Sequence, residues 1–168
     1  MKKEKTNKKE YFISPTRGKL SFDSVIYDLV DFMQSDPEEK YSLIVGTDSK
    51  LYFDKALFVS VILIHKVGHG ARYFYKKQKN SMGRALRPRI YHETILSLEL
   101  SQKLIEKIKD ALTSANLDYD FAIHVDIGRG GPTKDMIKEI VGMIQGNGFV
   151  VKYKPESFGA SVVADKHT

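Results

Sequence analysis

The sequence predicts an α/β fold: a mixed five-stranded sheet, three antiparallel strands and then parallel strands, with helices on both faces. Three observations predict it. Apolar runs of strand length fill residues 41–77. The hydrophobic period then changes from two residues to about 3.6 at residue 90. After that point strand and helix patterns alternate, which is typical of parallel strands joined by helical crossovers.

The composition is that of one globular domain. The chain has 168 residues, of which 42% are hydrophobic and 29% charged, enough for a single core. We expect a flexible basic tail over residues 1–12 and a single domain over 13–168, with an extra N-terminal helix. No apolar stretch approaches the roughly 20 residues that span a bilayer, and no apolar run follows the charged N-terminus. We therefore expect a cytoplasmic protein with no membrane partner; the sequence does not indicate its oligomeric state.

The first half of the chain predicts one helix and three antiparallel strands. Apolar positions at helical spacing predict the helix at residues 24–34. The apolar runs 41–52 and 56–67 predict a hairpin of two long strands, because a short polar turn joins them. A second turn with two glycines precedes residues 71–77, whose aromatic content favours a third strand.

The second half alternates helices and strands. The most regular apolar stripe predicts a long helix at residues 90–115. Residues 120–127 predict a strand, and a Gly-rich turn then leads into a helix over 132–145, with Pro132 at its first position. Residues 149–154 predict a last strand, and residues 157–168 a short closing segment that suits a helix.

Two acidic residues stand where apolar strands end. Asp48 follows the run Leu43 to Val45, and Asp126 lies near the end of the strand predicted at residues 120–127. Ligand sites in open α/β sheets lie at the carboxyl ends of strands, so carboxylates from neighbouring parallel strands can share a divalent ion. The alternative is that each Asp caps a turn. Because the chain has no cysteine, oxygen or imidazole ligands would have to hold any metal.

Helical geometry selects a third carboxylate. With Leu100 at zero and about 100° per residue, Leu104 lies near 40° and Glu93 near 20°, within the apolar stripe. Glu99 falls near 260°, on the polar face. A carboxylate that faces the sheet is costly unless it is paired or bound to metal, so Glu93 is the more informative residue. The alternative is an exposed first-turn Glu that the helix dipole favours.

The order of elements and the three acids resemble the ribonuclease H-like superfamily. The strings VGTDSK, HVDIGRGGPTK and SVVADKHT are similar to the bacterial YkuK family of ribonuclease H-like proteins, whose nuclease activity is inferred from the superfamily. The resemblance implies four acids that are catalytic and bind Mg²⁺ or Mn²⁺: Asp48, Glu93, Asp126 and Asp165. It also suggests His167 as a group that assists proton transfer.

Basic residues are concentrated in one window. Residues 65–90 contain eight Lys or Arg and no Asp or Glu, whereas the whole chain carries +6. We expect this window to bind phosphates, with Tyr73, Phe74, Tyr75 and Tyr91 as stacking faces. The expected substrate-binding residues are Lys76, Lys77, Arg84, Arg87 and Arg89, together with Arg129 from a Gly-rich loop that can cradle a phosphate. The alternatives are an edge strand that lysines protect from aggregation and an ordinary tight turn.

These observations favour a metal-dependent nuclease that hydrolyses phosphodiester bonds of RNA or DNA by a two-metal carboxylate mechanism. Three alternatives remain open. One is a catalytically inactive nucleic-acid-binding module of the same fold. A second is a nucleotide-binding domain of the sugar-kinase or actin type, which generally needs two such domains. The third is a structural or adaptor domain, which predicts a compensating Lys or Arg beside Glu93.

Overall fold

A computed structural model describes residues 10–168 as one seven-stranded sheet with four α-helices. The strands are β1 (Tyr11–Ser14), β2 (Gly18–Ser21), β3 (Tyr41–Tyr52), β4 (Lys55–Lys66), β5 (Gly70–Asn80), β6 (Tyr119–His124) and β7 (Val151–Lys152). The helices are α1 (Phe22–Ser35), α2 (Leu86–Ser114), α3 (Ile137–Gly146) and α4 (Phe158–His167). None of the helices in this described part of the chain combines the length and apolar character needed to cross a bilayer.

The sheet is mixed, as the sequence predicts, and its strand order is β2-β1-β5-β4-β3-β6-β7. Strands β3, β4 and β5 form an antiparallel meander, β6 pairs with β3 in parallel, and β7 pairs with β6 in parallel. The predicted number of five strands is wrong, because the hairpin of β1 and β2 extends the sheet beyond β5. These two strands have four residues each, too few to give a clear period of two.

The last residues of the expected N-terminal tail, 1–12, form part of this hairpin. Residues 1–9 lie outside the described residues. Tyr11 and Phe12, which the sequence analysis places in the tail, belong to β1, and Phe12 is completely buried among core residues of the sheet. The first strand is therefore fixed to the domain by burial of one aromatic ring.

Helices cover both faces, in agreement with the prediction. On one face α1 and α2 enclose the main core, which includes Leu29, Leu43, Val45, Ile62 and Leu104. Helix α3 packs on the same face beside α2. Helix α4 lies alone on the opposite face, where Ala160 and Ala164 contact Ile44 and Val61. It approaches β3 closely because Gly46 lacks a side chain: a Cβ there would lie 2.7 Å from Ala160 Cβ.

The elements after α2 are shorter than predicted. The strand expected over 120–127 ends at His124, and the strand expected over 149–154 has two residues. Pro132 does not begin a helix: a 3₁₀ turn at Lys134–Met136 leads into α3 at Ile137. Two backbone hydrogen bonds, Val125 N–H to Lys152 O and Lys154 N–H to Ile127 O, continue the pairing of the two segments. Asp126, two residues after β6, therefore lies in an irregular segment at the edge of the sheet.

Candidate functional site

Strand register brings Asp48 and Asp126 to the same edge of the sheet. Parallel pairing of β3 and β6 ends with Gly46 opposite His124, and each Asp lies two residues beyond its strand's last paired position. Both residues line a cleft of about 470 Å³, to which α2 contributes Glu93. The cleft therefore contains three of the four acids that the sequence indicates.

Glu93 is buried in the first part of α2, as its position in the helical stripe predicts; it is 6% exposed. The Ser49 hydroxyl donates a hydrogen bond of 2.5 Å to Glu93 Oε1. Burial, with the nearby charges of Asp48 and Asp126, raises the pKa of Glu93 to about 8, although Ser49 and Arg89 oppose the shift. The ionised form of this carboxyl group is therefore costly in the metal-free protein.

Asp48 shows the same effect to a smaller degree. Burial raises its pKa to about 6, and the charges of Asp126 and Asp165 add to the shift. The backbone N–H of Ser49 donates to Asp48 Oδ1 at 2.8 Å, which favours the ionised form and partly offsets the burial. Negative charge thus accumulates in one small region, where an added cation would lower the free energy of the folded state.

Lys154, which is not among the site residues predicted from the sequence, occupies part of this acidic cleft. Its ammonium lies 2.7 Å from Asp126 Oδ1, an atom that is buried and makes no aligned hydrogen bond. The Lys154 side chain passes over Gly128, where a Cβ would lie 3.3 Å from Lys154 Cβ. A sequence signal existed: Lys154 is the last residue of the strand expected over 149–154, so it lies at the carboxyl end of that strand, where ligand sites of α/β sheets lie.

Asp165 lies at the rim. It is exposed on α4 and lines a second cavity of about 460 Å³. Three residues, Asp48, Asp126 and Lys154, line both this cavity and the cleft that holds Glu93. The two cavities therefore meet at these residues, with Glu93 on one side and Asp165 on the other.

The structure does not bring His167 to the acids. Its ring stacks on Tyr75, with centroids 3.8 Å apart and planes at 14°, and its Nε2 lies 3.1 Å from the Tyr73 hydroxyl. Burial lowers its pKa, and the nearby Lys77 and Lys166 lower it further. His167 lines neither of the two cavities that contain Asp48. These contacts make it a packing residue between α4 and β5.

The basic residues of the 65–90 window do not form one groove. Lys76 pairs with Glu10, and Arg87 binds both carboxylate oxygens of Glu139 at 2.8 and 2.9 Å. Lys77 neighbours Lys76 along β5 and therefore projects from the opposite face of the sheet.

Three other predicted substrate-binding residues lie at different places. Arg89, from the first turn of α2, lines the acidic cleft, and its charge lowers the pKa of Asp48 and Glu93. Arg84 is exposed in the segment before α2. Arg129 is exposed in the Gly-rich loop, where a hydrogen bond with Tyr153 raises its pKa.

The donor set fits a hard divalent cation by its chemistry. Asp48, Glu93 and Asp126 offer carboxylate oxygens, the ligand type that Mg²⁺ and Mn²⁺ prefer, and the buried Asp126 Oδ1 is paired with the ammonium of Lys154, which a metal ion would have to displace. Over residues 10–168, no three His, Asp or Glu side chains are yet placed closely enough to hold one ion. In the metal-free arrangement, Lys154 and Arg89 supply the positive charge.

Comparisons with known proteins agree with this architecture. The family model described as Ribonuclease H-like matches residues 24–168. The uncharacterized protein YkuK of Bacillus subtilis (strain 168) is 33% identical over 165 residues, which cover 94% of this chain and 96% of YkuK. No solved structure gives a significant match. On both findings, the chain belongs to the ribonuclease H-like family and is a relative of YkuK within it.

Proposed function

We propose that this protein is a nuclease that hydrolyses phosphodiester bonds of RNA or DNA with Mg²⁺ or Mn²⁺. The observation that carries the proposal is the meeting of Asp48, Glu93 and Asp126 in one open cleft, where burial raises the pKa of two of them. Family membership is consistent with it, because the ribonuclease H-like family suggests a nuclease-type or nucleic-acid-binding role.

The metal ligands in this proposal are Asp48, Glu93 and Asp126, with Asp165 completing the set from the rim. In a two-metal mechanism, the bound ions supply an activated water and stabilise the leaving oxygen of the phosphodiester. We assign Ser49 the task of orienting the Glu93 carboxylate through its hydroxyl hydrogen bond. Arg89 carries a positive charge into the same cleft, where it can bind a non-bridging phosphate oxygen.

The experiment that tests this function is a panel of labelled nucleic acids: single-stranded RNA and DNA, both duplexes and the hybrid. Each is incubated with the purified protein in Mg²⁺, Mn²⁺ or EDTA, beside an Asp48→Asn sample prepared in the same way. We expect metal-dependent cleavage of at least one substrate by the parent protein. Cleavage of equal rate in the Asp48→Asn sample would identify a contaminant, and no cleavage of any substrate would contradict the proposal.

The second candidate function is a non-catalytic nucleic-acid-binding module, and one observation favours it. Lys154 lies against Asp126, and Arg89 lies near Glu93, so cations of the protein itself already compensate the acids. Such compensation is what any domain of this fold without a metal would need, including the structural or adaptor domain for which the sequence predicts it, because buried unpaired carboxylates are destabilising. In the nuclease, Mn²⁺ would displace the Lys154 ammonium from Asp126. In the non-catalytic module, Lys154 would remain the partner of Asp126.

Replacing Lys154 with Met separates the two candidates. If the cleft binds metal, loss of the competing ammonium should strengthen Mn²⁺ binding about threefold to tenfold, a range reduced for the 60% exposure of this side chain. Calorimetric titration with Mn²⁺ measures the change, and Lys152→Met, on the same segment but outside both cavities, is the matched control. A Lys154→Met protein that is less stable and still does not bind Mn²⁺ would favour the module.

A further inference from the structure

One end of the sheet is left uncovered beside the acidic cleft. Asp48, Val59 and Lys77 are register partners across β3, β4 and β5 and therefore project from the same face. Helix α4 covers this face at Val59, and Leu57, two residues further out, is half-buried against the same apolar cluster. The next row of register partners, two residues further out, consists of Lys50, Leu57 and Lys79. Lys50 and Lys79 are exposed, so this row continues the surface that carries Asp48.

The opposite face of the same strands is closed. Ala56 and Phe58 of β4 are completely buried there, against Leu96 of α2. Gln78, at the β5 edge of this opposite face, is exposed, but the β4 side chains there are not, so most of the exposure lies on the face that carries Asp48. A sheet end covered on one side only leaves room for a ligand along the other.

The tip of the β3–β4 hairpin shows a second unusual feature. Phe53 has a φ of 56°, in the left-handed region where Gly or Asn is favoured, and its side chain is 90% exposed. A large aromatic residue at such a position stabilises neither the turn nor the core. Tyr52 beside it is 46% exposed, and its hydroxyl donates to the Thr168 backbone oxygen at 2.6 Å. Tyr52, Phe53 and Lys79 line a depression of about 440 Å³.

We propose that this surface, named here the hairpin platform and defined by Lys50, Tyr52, Phe53, Lys55 and Lys79, binds a single-stranded segment of nucleic acid that leads into the acidic cleft. Its lysines bind phosphates, and its exposed rings stack on bases. The inference rests on the proposed function, because it takes nucleic acid as the substrate of the cleft.

Distances and charge support this occupant. At about 3.4 Å per residue, Lys50 lies roughly 7 Å and the hairpin tip roughly 17 Å along the strand from Asp48. The tip is therefore within a few nucleotides of the acids. Among the residues that the structure describes, the depression is lined by Lys55, Lys79 and one acid, Asp54, and Lys50 adds a further positive charge in the neighbouring row. This excess of positive charge favours a polyanion over a protein partner. Stacking on an exposed ring requires a base that is free of a duplex, which favours a single strand.

The decisive variant is Phe53→Asn, because Asn suits the left-handed backbone and should preserve or raise stability while removing the ring. Fluorescence anisotropy measures its affinity for labelled oligo(U) and oligo(dT) of roughly 12 nucleotides, in EDTA to prevent cleavage. We expect about tenfold weaker binding than the parent, the effect of losing one stacked base. Tyr27→Asn, at a 68% exposed ring on α1, is the control and should bind within about twofold of the parent.

A charge variant tests the lysines separately. Lys50→Gln with Lys79→Gln should lower the slope of log affinity against log salt by about 1.4, since each phosphate contact to a single strand contributes about 0.7. The control is Lys109→Gln with Lys138→Gln, two exposed lysines on α2 and α3. These should leave the slope unchanged.

The outcomes distinguish this inference from the proposed function. Parent-like binding by both the Phe53→Asn and the lysine variants would overturn the platform, as would a parent that binds duplexes better than single strands. A parent that binds no oligonucleotide would also overturn it. Expected binding without cleavage in any metal would contradict only the nuclease activity, and cleavage with parent-like variant binding would contradict only the platform.

Discussion

Asp48→Asn is expected to lower Mn²⁺-dependent phosphodiester hydrolysis by at least about 10³-fold, equivalent to roughly 4 kcal/mol of transition-state stabilisation. Asp48 is the acid most central to the site, because it lines both cavities and lies near Glu93, Asp126 and Asp165. The amide has the same shape and retains an oxygen that accepts the Ser49 N–H, but it is a much weaker metal ligand. Initial rates at saturating metal and substrate measure the effect.

The matched control for this variant is Asp120→Asn, an exposed acid on the β6 strand that leads to Asp126. It should retain the parent rate within about twofold, because it lies outside both cavities. A circular dichroism spectrum and a melting curve for each variant separate loss of chemistry from loss of fold. If Asp48→Asn kept more than about a tenth of the parent rate, the assignment of Asp48 as a metal ligand would be wrong.

The metal-free protein should lose stability as the pH rises from 5 to 8, and Glu93→Gln should remove most of that loss. The pKa of Glu93 is about 8 in the folded state and near 4.5 in the unfolded state, so the folded state binds the proton more tightly. Its contribution is complete below pH 4.5 and is lost as the pH rises through 8. Between pH 5 and 8 the free energy of unfolding should fall by roughly 3 kcal/mol. Asp48 adds a smaller loss of the same sign as the pH approaches 6.

Urea titrations in EDTA at several pH values measure this prediction. Glu93→Gln should be more stable than the parent at pH 8 and should show a flatter pH profile between 5 and 8. Glu99→Gln, six residues along α2 on the exposed face, is the control and should follow the parent. Parallel profiles for the parent and Glu93→Gln would show that Glu93 does not titrate between pH 5 and 8, and would contradict the rise of its pKa on burial.

The central sheet and the buried acid could be predicted because each depends on a periodic pattern. The runs that became β3, β4 and β5 are long and apolar, and the length of α2 defines its buried stripe well enough to place Glu93 inside it. Asp48 and Asp126 follow from the rule that parallel strands end at one edge. In these cases local sequence and tertiary structure favour the same arrangement.

Lys154 and the N-terminal hairpin could not be predicted in the same way. Strand β7 has two residues and the hairpin strands four each, so their place in the sheet depends on pairing with distant strands. His167 is suggested by the resemblance alone, and its position depends on the rotation of α4, which places its ring against Tyr73 and Tyr75. The last helix therefore places Asp165 at the rim of the cleft and His167 against β5.

Basic residues that are close together in the sequence are not close together in the structure. Lys76 and Lys77 are adjacent on β5 and therefore point to opposite faces. Lys50 and Lys79 are far apart in sequence, yet β4 places them in one cross-strand row. A sheet distributes a basic run between two surfaces, so strand register determines a charged surface more than local density of lysines does.

The most direct test of the central claim, that the acids of this cleft bind a divalent cation, is thermal unfolding with Mn²⁺ and with EDTA at constant ionic strength. Mn²⁺ at about 100 times its Kd should raise the parent Tm by roughly 5 to 10 °C, because the ion binds only the folded site. The double variant Asp48→Asn with Asp126→Asn should be at least as stable as the metal-free parent and should not respond to Mn²⁺. A parent protein that gains no stability from millimolar Mn²⁺ and loses none in EDTA would contradict the claim.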